Sequence, residues 1–338
     1  MAQAAPKAEV TPQQIINDLW QARGAQALVA GVELKVFDHI AAGKRSAKEI
    51  ARAAEASERG TERLLDALVG MGYLSKKNNR YGLTAVSEKF LVSNTPAYMG
   101  GFVYETKMTW PGWAKLTEVV KSGRPIAAVD TEQEGREFFP ELVQAIFPMS
   151  YGAARAAAAA IVEKNRNRIK RILDVAAGSA AWSLAFAQAI PDARVTVVDY
   201  PEVTPVARRY TEAFGVADRY DYIEGNIREV DFGRNKYDLV ILGHIIHSEG
   251  EKWGKKLIKK SYRALSDNGL LLIAEMIPND ARTGPALPLL FGLNMLIHTE
   301  AGDVFTMKEY RQWLKDAGFK KVTTIEAPAP SPLILATK

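Results

Sequence analysis

Between residues 14 and 41 the apolar positions fall at helical spacing. Ile15, Ile16, Leu19 and Trp20 start a stripe that Ala25, Leu28, Val29 and Val32 continue, and one long helix is predicted there. Ser46-Ala-Lys-Glu49 has the form of a capping box: the hydroxyl accepts from the amide three residues on and the carboxylate reaches back, so a second helix starts at that point. A third is predicted over 59–71, with Leu64, Leu65, Leu68 and Met71 on one face. The following YLSKKNNRYGLT reads as two short strands turning at Asn78-Asn79. Helices followed by a hairpin make a winged-helix pattern that ends near residue 92. From 100 to 165 the chain reads as helical and aromatic-rich, with Phe102, Tyr104, Trp110, Trp113, Phe138, Phe139 and Phe147. Most of these suit a core, and some suit the wall of a pocket between domains.

The rhythm changes at 170. KRILDVA, RVTVVD, YDYIEG, YDLVILG and GLLLIAEM are five short apolar runs with helical segments between most of them. Strands alternating with helices predict a parallel α/β sheet. Thr306-Met-Lys-Glu309 is another capping box and Gly318 a helix stop. KKVTTIEA and PLILATK then read as a closing antiparallel pair.

Composition narrows the class. A chain of 338 residues exceeds one typical core and favours two domains. No run of eighteen apolar residues predicts a membrane span. The opening MAQAAPKAEVTPQQ lacks the basic-then-apolar layout of a signal peptide and reads as a short disordered tail. The absence of cysteine excludes disulfides, a Cys nucleophile and a thiolate metal site, and it fits the cytoplasm. Net charge is +5, and Lys255, Lys256, Lys259 and Lys260 read as a solvated helix face rather than a nucleic-acid stripe. A winged helix raises DNA binding, but Arg59 and Arg63 share their helix with Glu58, Glu62 and Asp66, a poor balance for a phosphate-facing surface. A dimerisation module is the better reading; no nucleic acid, membrane or metal partner is expected.

The candidate chemistry sits where strands end. Asp174-Val175 closes a strand, and the small residues Ala176, Ala177, Gly178, Ala180 and Ala181 let backbone approach a ligand closely. Asp199 ends the next strand and can accept both hydroxyls of a ribose, while Asn226 follows the third and can bond an adenine amino group. A dinucleotide would want G-x-G-x-x-G to cradle its pyrophosphate, and alanine at 176 and 181 makes that match weak. Asp174 suits a cationic ligand, whose amino group it can hold directly or through water.

With those motifs in place, the chain resembles the class I S-adenosylmethionine-dependent O-methyltransferase family with an N-terminal winged-helix dimerisation domain, over nearly its full length. LKVFDHIAAGKRSAKEIARAA, RLLDALVGMGYL and YGLT resemble the dimerisation domain; ILDVAAGSA the cofactor motif; VVDYPEV the second acidic motif; GNI the third; and ALSDNGLLLIAEM and WLKDAGFKKV the later elements. The resemblance implies an α/β chain with a Rossmann-like seven-stranded methyltransferase sheet behind a mainly α dimerisation domain. It divides the chain as 1–100, a helical linker lining the acceptor pocket over 101–165, and a cofactor domain over 166–338. It implies S-adenosylmethionine as cofactor, S-adenosylhomocysteine as product, a small-molecule acceptor and a homodimer. Cofactor contacts are expected at Asp174, Ala176, Gly178, Ser179, Asp199, Tyr200, Asn226, Ile227, Gly243 and His244. Acceptor contacts are expected at Phe147, Met149 and Tyr151 on one side, with Phe291, Asn294, Met295 and His298 opposite.

Two departures stand out. The family loop reads D-x-G-x-G-x-G; here Ala176 and Ala180 replace the outer glycines, which makes any positive φ costly and suggests a shifted loop. Many members also carry a catalytic His six residues after a first His; here Trp253 stands six after His247. A phenol has a pKa near 10, so a base helps. His244, His247 and Glu249 are the leading candidates, with Glu251 and His298 behind them and His39 structural. Three functions remain open. O-methylation leads. Methylation of a thioether such as 4-methylthio-2-hydroxybutyrate, on the way to dimethylsulfoniopropionate, would need no base. A cofactor-binding relative that no longer methylates would explain both departures.

Overall fold

The computed structural model describes residues 10–126, 128 and 132–338; the first nine residues of the expected N-terminal tail lie outside them. The chain divides into two compact units, one ending at Thr109 and one running from Trp110 to Lys338. The division falls inside the helix Gly100–Trp113. Sequence reasoning drew boundaries at 100 and 165 instead. Helix Phe147–Asn165 buries Ala153, Ala154, Ala157 and Ala158 in the core shared with helix Ala181–Ala189.

In the N-terminal unit the expected long helix is two. Gln13–Glu33 stops, Lys35 turns left-handed at φ 50°, and Val36–Ala41 resumes. Ser46 and Glu49 form the predicted capping box of Ala47–Ala53, and Ser57 caps Glu58–Gly70. The hairpin follows as β1 (Leu74–Lys77) and β2 (Arg80–Leu83). Asn78 and Asn79 turn it with φ of 49° and 56°, the doubly left-handed geometry that matches strand twist. Phe37, Ile40, Ile50, Leu65, Leu68 and Tyr81 fill this unit's core. Three of the charges on Glu58–Gly70 are paired locally: Arg63 pairs with Glu62 and Asp66, and Asp66 also accepts from Lys76.

The C-terminal unit is built on a seven-stranded sheet. Its strands are β3 (Arg171–Val175), β4 (Arg194–Asp199), β5 (Tyr220–Glu224), β6 (Tyr237–Gly243), β7 (Leu265–Ala274), β8 (Lys321–Ile325) and β9 (Leu333–Thr337). Their order across the sheet is β5-β4-β3-β6-β7-β9-β8. The first five are parallel and β9 pairs antiparallel with both β7 and β8. Successive residues feed opposite cores: Ile172, Val197 and Ile241 pack on one face, and Leu173, Val198 and Leu242 on the other. Helices cover both faces, which is why these strands read as continuous apolar runs rather than alternating ones. β4 and β5 lie to one side of β3 and β6 to the other, so the chain reverses direction between β3 and β6. Open α/β sheets hold their ligands at such a switch point, outside the carboxyl ends.

Candidate active site

At the β3 end, residues 176–180 wrap around Asp199. The Gly178 amide donates to Asp199 Oδ2 at 2.8 Å, and the Tyr200 amide donates to Oδ1 at 2.8 Å. Ala176, Gly178 and Ala180 all take left-handed backbone, with φ of 52°, 58° and 59°. The two alanines adopt the left-handed conformation that favours glycine, at a cost of about 1 kcal/mol or more each. Gly178 is fixed by space as well, since a Cβ there would stand 2.8 Å from Val143 Cγ1. Asp174, one strand over, accepts from the Ser183 amide at 3.2 Å. Burial pushes Asp174 up to about 7, against the hydrogen bonds from Ser183. Burial likewise raises Asp199 to about 6, against the amides of Gly178 and Tyr200. Among the described residues, neither has a cationic partner.

Beyond β5, Asn226 and Ile227 form a turn in which the Arg228 amide donates to Asn226 Oδ1 at 2.9 Å. At the end of β6, Gly243 leaves room for the Trp182 indole, whose Cδ1 would lie 2.4 Å from an added Cβ. His244 follows with a left-handed φ of 62°, its amide donating to the Ala274 carbonyl at 2.8 Å. Its ring lies 5.9 Å from the Trp182 ring. Burial pushes the His244 imidazole down to about 4, with Glu275 opposing. It is neutral near pH 7 and too weakly basic to ionise a phenol.

His247 is differently held. Its Nδ1 is 2.6 Å from Glu275 Oε2. Glu275 Oε1 accepts from the amides of Ile246 at 2.7 Å and His247 at 3.3 Å. Burial alone would raise the Glu275 pKa, but the charge and hydrogen bond of His247, with the Ile246 amide, hold it below the usual value. An ionised carboxylate can only accept, so Nδ1–H is the donor in this contact and the other ring nitrogen, Nε2, is the one that carries the lone pair. Phe291 meets the His247 ring edge-on at 4.9 Å. Donor atoms of His244, His247 and Glu275 lie within 4.8 Å of one another.

The remaining expected residues sort unevenly. Glu249 is taken by a fork-like pair with Arg228, at 2.8 and 3.3 Å, so it is no free base. Glu251 is an exposed partner of Lys255. Phe147 stacks on Tyr210 at 4.0 Å and on Tyr151 at 5.2 Å, and the Tyr151 hydroxyl donates to Gln188. Phe147 is thus covered on the side of helix Thr204–Ala213, while Tyr151 is half-buried and meets Phe214 edge-on at 5.2 Å. Met149 is half-buried nearby. On helix Ala286–His298, Asn294 Oδ1 accepts from Trp113 Nε1 at 3.1 Å, Met295 is buried, and the His298 ring closes over Gly112. Sequence reasoning passed over Glu275. Its signal was available: an acid just past an apolar strand, the pattern that singled out Asp174 and Asp199.

Residues 148–320 match the O-methyltransferase domain model, and residues 21–93 match the O-methyltransferase dimerisation domain. The chain belongs to the O-methyltransferase family. It is 32% identical over 323 residues to a 3-hydroxy-5-methyl-1-naphthoate 3-O-methyltransferase from Streptomyces sahachiroi, covering 94% of this chain and 91% of that one. Its structure matches that of an O-methyltransferase described as putative from Nostoc punctiforme with a TM-score of 0.88, at 30% identity, over 98% and 100% of the two chains. It also matches PigF with SAH at a TM-score of 0.83 and 26% identity, over 97% and 100%. The chain is an S-adenosylmethionine-dependent enzyme that methylates oxygen on a small molecule.

The site fits that cofactor. Two buried carboxylates without internal cations suit a ligand that brings positive charge and a ribose diol. Their position at the switch point, beside three left-handed small residues, leaves the backbone close to the ligand.

Proposed function

We propose that the acceptor is a hydroxyl on an aromatic small molecule and that His247, oriented by Glu275, takes its proton. The observation that carries this is the 2.6 Å contact between His247 Nδ1 and a fully buried carboxylate. A thioether acceptor has no proton to lose and would give such a pair nothing to do. Relatives support the aromatic class, being named for a hydroxynaphthoate, tetracenomycin polyketide synthesis and acetylserotonin. Bound S-adenosylmethionine supplies a methyl group on a sulfonium, open to in-line displacement. The protein's own groups do the rest. Asp199 binds the ribose hydroxyls, Asp174 faces the amino group, and Asn226 with Ile227 holds the adenine. His247 Nε2 accepts the hydroxyl proton as the oxygen attacks, and Glu275 stabilises the imidazolium that forms. Phe291 and His298 border the acceptor, with His244 as a neutral neighbour. A screen with methyl-labelled cofactor against phenols, hydroxy acids and thioethers, read by mass spectrometry, tests this. Methylated phenols are expected; a permanently charged sulfonium product overturns it.

The N-terminal unit supports a homodimer built on a winged-helix module. Ile15, Ile16, Leu19 and Trp20 are 42–66% exposed on its first helix, a row of apolar surface that suits a second copy. Light scattering should report a dimer, and Trp20→Ser with Leu19→Ser should shift it toward monomer. A monomeric wild type would sink this reading.

A further inference from the structure

Trp253 stands where the resemblance leads one to look for a base, and the structure gives it other work. Helix Ile246–Ala264 begins with the segment that carries His247. The element kinks at Gly250, where φ is 70°, and Glu249 just before the kink joins Trp253 and Lys260 after it in facing the segment 226–232. Glu249 grips the Arg228 guanidinium with both oxygens. The Trp253 ring lies under that guanidinium at 5.0 Å and under the Lys256 ammonium at 3.9 Å. Lys260, expected on a solvated face, is half-buried over Phe232 and donates to the Ile227 carbonyl at 2.7 Å. Burial lowers its pKa.

The chemistry of this contact is specific. The Ile227 carbonyl and the Arg228 amide belong to one peptide group. Lys260 holds its oxygen, and Asn226 Oδ1 accepts from its nitrogen. The plane of that peptide therefore sets which way the Asn226 carboxamide faces. An apolar helix face would pack as well but would fix no peptide orientation. The side chains of Arg228 and Glu249 are 30% and 12% exposed, so their pair is shielded more than a surface ion pair.

We propose that this group is a clasp that aims the Asn226–Ile227 turn at the adenosine half of the cofactor, making Arg228, Glu249, Trp253 and Lys260 positioning residues. The proposal rests on reading Asn226 and Ile227 as cofactor contacts. It ties the cofactor-side turn to the helix that bears His247.

Calorimetry with S-adenosylhomocysteine tests it, with thermal denaturation run on each variant. Arg228→Ala, Glu249→Gln and Lys260→Met should each weaken binding by about five- to tenfold, and Trp253→Leu by a smaller factor. The swap Arg228→Glu with Glu249→Arg should recover most of the loss of Arg228→Ala. Asn226→Ala is the benchmark and should weaken binding at least as much. If the clasp variants bind like wild type while Asn226→Ala is weak, the clasp is wrong and the turn stands. If all of them bind like wild type, Asn226→Ala included, the turn leaves the cofactor site and the clasp goes with it. Lowered thermal stability at unchanged affinity also overturns the proposal, since it marks ordinary packing.

Discussion

Asp174 and Asp199, at the ends of β3 and β4, and Glu275, just past β7, are all buried at the carboxyl edge of one sheet. Burial raises the first two, to about 7 and about 6, and only backbone and hydroxyl donors oppose it. Glu275 feels the same desolvation yet sits below its usual value, because the His247 imidazole faces it at 2.6 Å. The difference separates two kinds of site. On the β3–β4 side, among the described residues, no cation faces the carboxylates. On the β6–β7 side the carboxylate already has a hydrogen-bond partner within the protein, the His247 ring.

The largest test of that division is at the built-in pair. His247→Ala should lower methylation by about a hundredfold or more, and Glu275→Gln should follow it, while calorimetric affinity for S-adenosylhomocysteine stays near wild type. A loss of affinity equal to the loss of rate would erase the distinction between the two sides. Next in size is Asp199→Asn, which should weaken S-adenosylhomocysteine by about 2 to 4 kcal/mol through two charged hydrogen bonds to the ribose. The rate with saturating cofactor should then fall much less.

The pH responses should also run in opposite directions. Asp174 and Asp199 hold protons in the folded apo protein that the unfolded chain, with its usual value near 3.8, has already released. Their contribution to stability therefore falls as pH climbs from about 4 to about 7. Glu275 is lowered, so its contribution is present at neutral pH and is lost as pH drops below the usual 4.5. On the proposed contacts S-adenosylmethionine pairs with the ionised aspartates, so its affinity should rise as pH climbs through about 6 and about 7 and then level off. Asp174→Asn should flatten that rise; an unchanged slope would mean the aspartates do not sense the cofactor's charge.

The smallest effect concerns the loop. Ala176 is half-buried at a φ of 52°, so Ala176→Gly should stabilise by about 1 kcal/mol, a rise in Tm of roughly 2–4 °C. Ala180 shares that backbone but is fully buried. There the lost methyl burial, about 0.8 kcal/mol, offsets the relieved strain and leaves Ala180→Gly near neutral. A drop in Tm for Ala176→Gly would refute the strain account.

The fold was legible because its signals are local. The capping boxes at Ser46 and Thr306, the paired asparagines of the hairpin and the seven strand-like runs of the sheet each depend on a few neighbours. The cofactor edge was legible for a related reason: Asp174, Asp199 and Asn226 follow strand ends, and parallel strands bring their carboxyl ends together. What stayed hidden depended on partners far apart along the chain. Nothing near Glu249 says that Arg228 will claim it, and nothing near Phe147 says that Tyr210 will cover it. The first helix misled through its evenness. Its apolar stripe is continuous in sequence, yet Val29 is buried while Ile15 and Trp20 are 66% and 65% exposed.

The sequence by itself determined a two-part α/β chain, with a small-residue loop after β3 and acids at the ends of β3 and β4, since each is written in spacing and strand ends. Only the tertiary structure separates the three candidates for the base by their surroundings. His244, His247 and Glu249 lie within six residues, and their surroundings differ: burial dominates at His244, His247 meets Glu275 and Glu249 meets Arg228. Proton affinity is set by what surrounds a group in space, and that is fixed when β7 and the turn after β5 come to flank the same helix.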